Sequence, residues 1–549
     1  MTDMQASNPP CDAEKRNAEE VIEASNDENA EQKPPRQIQG LKWALTYVAM
    51  LSTTFLFSLD NTIVADIQPS ILTSFPGQTQ LLPWIGVAFA LGSMSVLPWG
   101  KTYGVFNIKY IYLFNIVLFE VGSALCGASQ NMTMLIIARV ITGIGGSGMY
   151  SGTMNYVSVL TTMEERAAYM SGNAVLWGIG SVLGPVVGGV FATSSATWRW
   201  SFYINLVVGA VFAPVYVLLL PNIDPQHTFS LQIKLLRIDW LTTIVFLAGS
   251  ACFTMAISFG GTVYAWTSGT EIALWAVTGA LLLITIALLV WHPAVAKDDR
   301  LYPLHFLKQP MLVNLQLQIF LSSGILFTMT YYIPLYFQFS RSDGPLDAGI
   351  RLLPFIAVMV TFSLLNGFLM PKLPYVILWH LFGSGLTLIG SALMYTVTAR
   401  TPTAPIYGYT ILIGAGCGSY IVAGLTIIQS LLPAAEIPNA VAAITIAQDL
   451  GMTLFLSIGG TLYQNLAIRD IRVALPGLWE GEVEELVAGT SSAAFKALGE
   501  EERGRVVEEI AGAMGGVWAL FIAGAALSFL MSFGMGKTKM ATSKKKTEA

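Results

Sequence analysis

Hydrophobic residues in this chain come in runs of about twenty, separated by short polar breaks, rather than alternating as half-buried strands do. A run of that length is what an α-helix needs to cross a hydrocarbon core about 30 Å thick at about 1.5 Å per residue. Read between the polar breaks, the runs predict spans at 43–65, 83–100, 110–127, 133–157, 170–192, 201–220, 240–260 and 271–292, then at 311–339, 346–370, 375–397, 406–430, 438–463 and 514–535. The expectation is an all-α membrane protein with fourteen transmembrane helices. One stretch breaks the rhythm. Between the last two spans, in the segment 466–513, Val483, Leu486 and Val487 are interleaved with Glu482, Glu484 and Glu485, which predicts an amphipathic helix on a surface.

Composition agrees with the pattern. With 54% hydrophobic and only 11% charged residues among 549, a soluble fold has too little polar surface to cover its apolar side chains. Residues 1–41 are the reverse, rich in Asn, Glu, Asp and Pro, and read as a disordered tail whose following span serves as an uncleaved signal. The four cysteines, Cys11, Cys126, Cys252 and Cys417, and the four histidines, His227, His292, His305 and His380, are scattered without metal-ligand spacing. No metal, cofactor or disulfide framework is expected from them. A net charge of −5 says little, because the informative sign is that of each loop.

Loop by loop, the basic residues are asymmetric. With the N-terminus inside, the cytoplasmic loops and tails hold Lys101, Lys109, Arg166, Lys234, Arg237, Lys297, Arg300, Lys308, Lys372 and the cluster from Lys537 to Lys546. The short outer loops hold only Arg199, Arg341, Arg351 and Arg400, so both termini are expected in the cytoplasm and 466–513 outside. The sequon at Asn131 lies too close to the membrane for glycosylation to be expected.

The strongest local signal lies in the fifth span, where Gly180, Gly184 and Gly188 recur every four residues, with Pro185 and Gly189 beside them. Small residues at that spacing open a groove for a neighbouring helix, expected here to be one from the other half of the molecule, and Pro185 permits a bend. This pattern resembles the antiporter motif of proton-driven exporters in the major facilitator superfamily. Three further features are similar to that family's fourteen-span drug:proton antiporters. They are Leu59, Asp60, Thr62, Ile63 and Val64 at the end of the first span, Leu135, Arg139, Gly143 and Gly145 in the fourth, and Trp198, Arg199, Trp200, Phe202 and Asn205 before the sixth. The loop after the second span departs from the family pattern, since Gly104 and Ile108 stand where an aspartate and an arginine are usual. It resembles instead the variant loop of fungal exporters of toxins and secondary metabolites, and Lys101 and Lys109 are left as positive-inside anchors.

The resemblance implies a major-facilitator-type fold of two six-helix bundles, at 42–220 and 301–536, joined by a linker at 221–300 with two extra spans, and a basic tail at 537–549. It also implies a substrate cavity between the bundles near mid-membrane, with alternating access by rocking. The internal repeat is barely legible, Gly367 to Tyr375 echoing Gly100 to Tyr110 only in having a glycine, a lysine and an aromatic residue at a turn.

A charge inside a bilayer costs several kcal/mol unless it is paired or hydrated, so intramembrane ionisable groups are candidates for proton coupling. Asp60 lies roughly 9 Å below the outer boundary and Arg139 at about the same depth, which allows them to pair. Glu120 sits nearer mid-membrane and needs a partner of its own. Trp84, Asn155, Tyr156, Trp177, Tyr331, Tyr336, Gln338, Tyr420, Gln429 and Asp449 project from spans as candidate lining of a permissive cavity.

Together these readings predict a proton-coupled exporter of small, mostly apolar compounds, acting as a monomer in the plasma membrane or a vacuolar membrane. The partners expected are the small-molecule substrate, protons and lipid, with no nucleic acid. Alternatives are proton-coupled uptake of the siderophore type and a non-transporting membrane sensor. A membrane enzyme is not expected, because no nucleophile-base or metal constellation is present in the sequence. The topology predicts that cysteines placed at Ser268 and Ser492 react with a membrane-impermeant reagent from outside intact cells and that one at Ser543 does not. Labelling of Ser543 from outside would overturn the orientation.

Overall fold

The computed structural model describes residues 38–538 except 76–80, 82, 262–263, 293–294, 297–298, 434–435, 489–491 and 537. Apart from their inner edges, the two expected tails lie outside the described residues. The first half contains α1 (Gly40–Ser74), α2 (Pro83–Ser93), α3 (Val96–Val105), α4 (Ile108–Gly127), α5 (Met132–Leu160), α6 (Met163–Thr193) and α7 (Trp200–Leu218). A short α8 (Leu231–Leu236) leads into the linking pair α9 (Trp240–Phe259) and α10 (Gly269–Trp291). The second half holds α11 (Pro310–Arg341), α12 (Pro345–Ile350), α13 (Leu353–Leu369), α14 (Val376–Tyr395), α15 (Thr403–Leu431) and α16 (Ile437–Ala474), then α17 (Glu480–Ala488), α18 (Ala493–Ala497) and α19 (Glu500–Ser532). The only β feature among the described residues is an isolated bridge between Gly260 and Tyr264.

Thirteen helices among the described residues are long and apolar enough to cross a bilayer, against the fourteen expected. The difference lies at 83–100, where the chain forms α2 and α3 in place of one helix. Pro98 has no N–H to return to the carbonyl four residues earlier, and regular bonding resumes only when Trp99 N–H reaches Ser95 O at 3.0 Å. Both pieces nevertheless run along α5. Gly92 meets the α5 backbone around Gly143, the Trp99 indole donates to Ile144 O at 3.0 Å, and the Tyr103 hydroxyl donates to Gly148 O at 2.8 Å.

Helices α1–α7 form one bundle and α11–α16 with α19 a second, and in each a glycine-rich helix sits at the centre. In α5, Gly143 faces the α2 backbone at Phe89 and Gly145 faces α4 at Phe119. In α15, Gly414 and Gly418 face α13 at Phe355 and Met359, and Gly416 faces α14 at Gly383. Without a Cβ the helix axes come close enough for backbone to touch backbone, the main attraction available between helices in lipid. The two bundles repeat the same architecture, although the sequence repeat is faint.

We call the end carrying Gly40 and Ser532 the base and the opposite end the rim. The chain is tied together at the base by the Trp43 indole donating to Tyr169 Oη at 2.9 Å and by Val376 N–H donating to Thr538 O at 3.2 Å. At the rim the segment 466–513 is largely helical, because α16 runs on to Ala474 and α19 starts at Glu500. The amphipathic helix expected there is α17, whose Val483 and Leu486 are fully buried, with Tyr463 Oη donating to Val487 O at 3.1 Å. The linking pair packs beside α2, where Trp84 meets Phe259 in a tilted ring contact with centroids 4.5 Å apart.

One packing expectation is corrected. Gly180, Gly184 and Gly188 do not face the other half of the molecule; they line the α6 face against α1, at Phe55 and Ser58, at Leu59 and Thr62, and at Ile63 respectively. The face of α6 turned to the second bundle carries Gly178, near Met359, and Val186, near Gly349. The glycine motif therefore fuses two helices within one bundle. Gly184→Leu should place its side chain into Thr62 and the α1 backbone, at a cost of about 3 kcal/mol or more. In size-exclusion and thermal-melt measurements in detergent it should lose the monodisperse peak, whereas Gly189→Ala, whose methyl meets nothing within 4 Å, should melt like the original.

Candidate functional site

Asp60 lies midway along α1 and Arg139 two turns into α5, and the structure brings them together as a salt bridge between Arg139 Nη1 and Asp60 Oδ2. Both are buried, at 0% and 1% exposure, so no water screens the pair. Arg139 also donates from Nη2 to Asp60 O at 3.3 Å and from Nε to Ile85 O at 3.4 Å, and its guanidinium lies 4.3 Å from the Phe89 ring centre. The second carboxylate oxygen of Asp60 accepts from Asn205 Nδ2 at 3.1 Å, and the same nitrogen donates to Ser123 Oγ at 3.0 Å. Removing two charges from water costs several kcal/mol each, offset only when geometry is good and the remaining lone pairs are satisfied. Here they are. Protonating Asp60 would cancel the charge that holds Arg139 and loosen α1 from α5.

The segment before α7 explains itself at this site. The Trp198 indole donates to Ser74 Oγ at 2.9 Å, Arg199 Nη1 donates to the free carbonyls of Gly127 and Ser129 at 2.8 and 2.5 Å at the end of α4, and Phe202 lies 5.7 Å from the Arg139 guanidinium. Asn205 completes it by reaching Asp60. Asn205 was not among the expected site residues, although the sequence segment containing it was singled out. Glu120 lies one turn from Ser123 on α4, its carboxylate packed over Gly209 of α7 and its Oε2 without a hydrogen-bond partner among the described residues.

The bundles meet chiefly through α6 on α13 and α3 on α16, and at the base they do so twice in the same way. Gly100 and Gly104 at the end of α3 lie against Pro438 and Ala442 of α16. At the end of α13, Gly367 lies against Ala167 and Ser171 of α6, and Ser171 Oγ donates to Ser363 O at 2.8 Å. The loop that departs from the family pattern packs its glycines closely on the second bundle here. Lys109 does more than mark the inner face, since its Nζ donates to Val217 O at 2.6 Å and caps α7. Arg166 likewise donates to Ser158 O at 2.5 Å at the end of α5.

Between the bundles, at mid-height, lies a cavity of about 50 Å³ lined mainly by apolar side chains, with Tyr150, Met154, Met170, Asn173, Trp177, Met359 and Gln448 among them. Tyr150 Oη donates across it to Gln448 Oε1 at 3.4 Å. Ligand pockets for drug-sized molecules run to about 300 Å³ or more, so this conformation is closed around its centre. A larger pocket of about 540 Å³ at the rim, between Phe339, Arg400, Phe495 and Glu508, lies under the α17–α19 cap and away from the bundle interface.

Of the side chains expected to line the cavity, Trp177 does. Tyr156 and Tyr336 are tied to backbone carbonyls inside their own bundles, at Pro221 and Thr398, and Tyr420 contacts Ser528 at 3.3 Å within the second. Asn155 donates to Ser151 O at 2.8 Å, Gln429 is fully buried in α15, Trp84 packs on the linking pair, and Tyr331 is 51% exposed. Gln338 and Asp449 are partly exposed and do not line it either, although Asp449 follows the lining Gln448. The lining that was missed had a signal: Met170, Asn173, Ala174 and Trp177 occupy positions i, i+3, i+4 and i+7, one stripe of α6.

Residues 50–456 match the sequence profile of the Major Facilitator Superfamily. The chain is 60% identical over 515 residues to the protein named Efflux pump DEP3 of Fusarium langsethiae, covering 94% of this chain and 93% of that one. It is 41% identical to Efflux pump alnA of Emericella nidulans, with 92% of each chain covered. Among solved structures it resembles the proton:xylose symporter XylE, with a TM-score of 0.58 at 16% identity, covering 91% of this chain and 97% of that chain. At that identity the likeness speaks for the fold alone.

Proposed function

The chain belongs to the major facilitator superfamily, and on that premise we propose that it is a proton-driven exporter of small, mostly apolar compounds, toxins or secondary metabolites among them, working by alternating access. Export is supported by the relatives named efflux pumps, which match almost end to end. A cavity lined by methionines and aromatic rings with few polar groups suits it, because flexible, polarisable side chains repack around ligands of different shape.

The observation that carries the coupling is the buried Asp60–Arg139 pair. A proton arriving from the rim neutralises Asp60 and releases Arg139 and Asn205 from it. The paired bundles then separate at the base, parting the Gly100–Pro438 and Gly367–Ser171 contacts, and the central cavity opens to the other side. Loss of the proton there restores the pair. A pH gradient of one unit and a membrane potential of 100 mV together supply about 4 kcal/mol per proton, enough for a substrate gradient of two to three decades. In this reading the base faces the cytoplasm with both termini, the membrane is the plasma membrane, and a single chain is sufficient.

The test is pH-gradient-driven efflux of a lipophilic dye from proteoliposomes carrying Asp60→Asn, Arg139→Leu or both, at matched protein levels. We expect Asp60→Asn to fold and bind dye yet lose gradient-driven efflux by at least tenfold, with no recovery in the double variant. A static pair gives the opposite: the single variants lose about 3–5 kcal/mol of stability, and the double variant melts and pumps like the original. That outcome would move proton carriage to Glu120.

A further inference from the structure

The amide of Asn205 is used in an uneven way. It is fully buried, its one nitrogen donates both to Asp60 Oδ1 and to Ser123 Oγ, and its Oδ1 has no hydrogen-bond partner among the described residues. A buried amide oxygen left unpaired is costly, and it is retained where another state of the site uses it. Asp60 has two such states. As a carboxylate it only accepts, so it takes the amide N–H; as a carboxylic acid it carries an O–H donor, which the amide N–H cannot satisfy. Turning the amide by half a turn presents Oδ1 to that O–H and withdraws the N–H groups from Asp60 and Ser123 together.

On the same two helices, one turn closer to the base, the arrangement has a second member. Glu120 precedes Ser123 by three residues on α4, and Gly209 follows Asn205 by four on α7, with the Glu120 carboxylate packed on Gly209 where any side chain would displace it. Its Oε2 is buried without a partner among the described residues.

We propose that Asn205 is a positioning residue that reads the protonation of Asp60, and that Asp60 and Glu120 titrate as one unit bridged by Asn205 and Ser123, with Glu120 receiving the proton on the base side. This rests on the reading of Asp60 as the proton carrier. The other ionisable groups facing the unit are Arg139 from α5 and Cys126 from α4, whose Sγ lies 3.7 Å from Thr142 Oγ1. The neighbouring α2 supplies the Ile85 carbonyl and the Phe89 ring, and α6 presents glycines to α1. Tyr216, two turns further towards the base on α7, is bonded to Ser52 at 2.7 Å.

The experiment follows the carbonyl band of protonated carboxylic acids by infrared difference spectroscopy on the purified full-length protein across pH, with dye efflux measured in parallel. Asp60→Asn and Glu120→Gln assign the two bands. If the two groups are coupled, Glu120→Gln moves the midpoint of the Asp60 band by about one pH unit. In an Asn205→Leu background, close to isosteric but without donors or acceptor, that dependence should vanish. Gly209→Ala, which displaces the Glu120 carboxylate but leaves Asn205 in place, should move the Glu120 band and, through the coupling, the Asp60 band with it. An Asp60 band unmoved by Glu120→Gln, or a dependence that survives Asn205→Leu, overturns the proposal. If efflux meanwhile still fails in Asp60→Asn, the reading of Asp60 as carrier stands without it; if efflux persists there, that reading falls and the bands judge the coupling on their own.

Discussion

Bringing two helices together inside a bilayer releases no ordered water, so what holds them is close van der Waals contact, and the closest contact available is backbone on backbone. The structure depends on this at every level. Gly143 and Gly145 lodge α5 between α2 and α4, and Gly414, Gly416 and Gly418 lodge α15 between α13 and α14. Gly180, Gly184 and Gly188 fasten α6 to α1, making one unit of the helix that holds Asp60 and the helix whose stripe lines the cavity. On the proposed reading, a displacement at Asp60 reaches the cavity wall through this shared packing.

Contacts between the bundles are of another kind. At the base, glycines at the ends of α3 and α13 rest on the starts of α16 and α6, with a single hydroxyl-to-carbonyl bond at Ser171. The family pattern usually has a charged latch after the second span, and Gly104 and Ile108 replace its aspartate and arginine here. On the proposed reading the electrostatic switch lies inside the first bundle, at Asp60 and Arg139, where burial lets a single proton decide the pairing.

Basic residues have a double use. Lys109, Arg166 and Arg300 lie at the base, where positive-inside sorting is expected to place them, and each also donates to the last carbonyls of a helix, at Val217, Ser158 and Leu289 respectively. Arg199 does the same for α4 at the rim. The carbonyls at a helix end have no intrahelical donor, and near a membrane a long cationic side chain can reach them while staying close to the headgroups.

The sequence by itself determined the fold class, the approximate position of nearly every span and the matching depths that let Asp60 pair with Arg139, because span length, hydropathy and helical rise are properties of one segment at a time. It also marked the segment holding Asn205 and the glycines of α6. Only the tertiary structure decided what each of them touches. The glycine spacing announced a groove but not its occupant, which proved to be α1; Pro98 was visible but its splitting of the second span was not foretold; and of the aromatic and amide side chains expected in the cavity only Trp177 lines it, while Asn155, Tyr156 and Tyr336 are bonded to backbone carbonyls. The physical reason is common to all three. In a helix packed on several sides, the direction a side chain takes depends on which neighbour covers each face, and that information is shared between segments far apart in the chain.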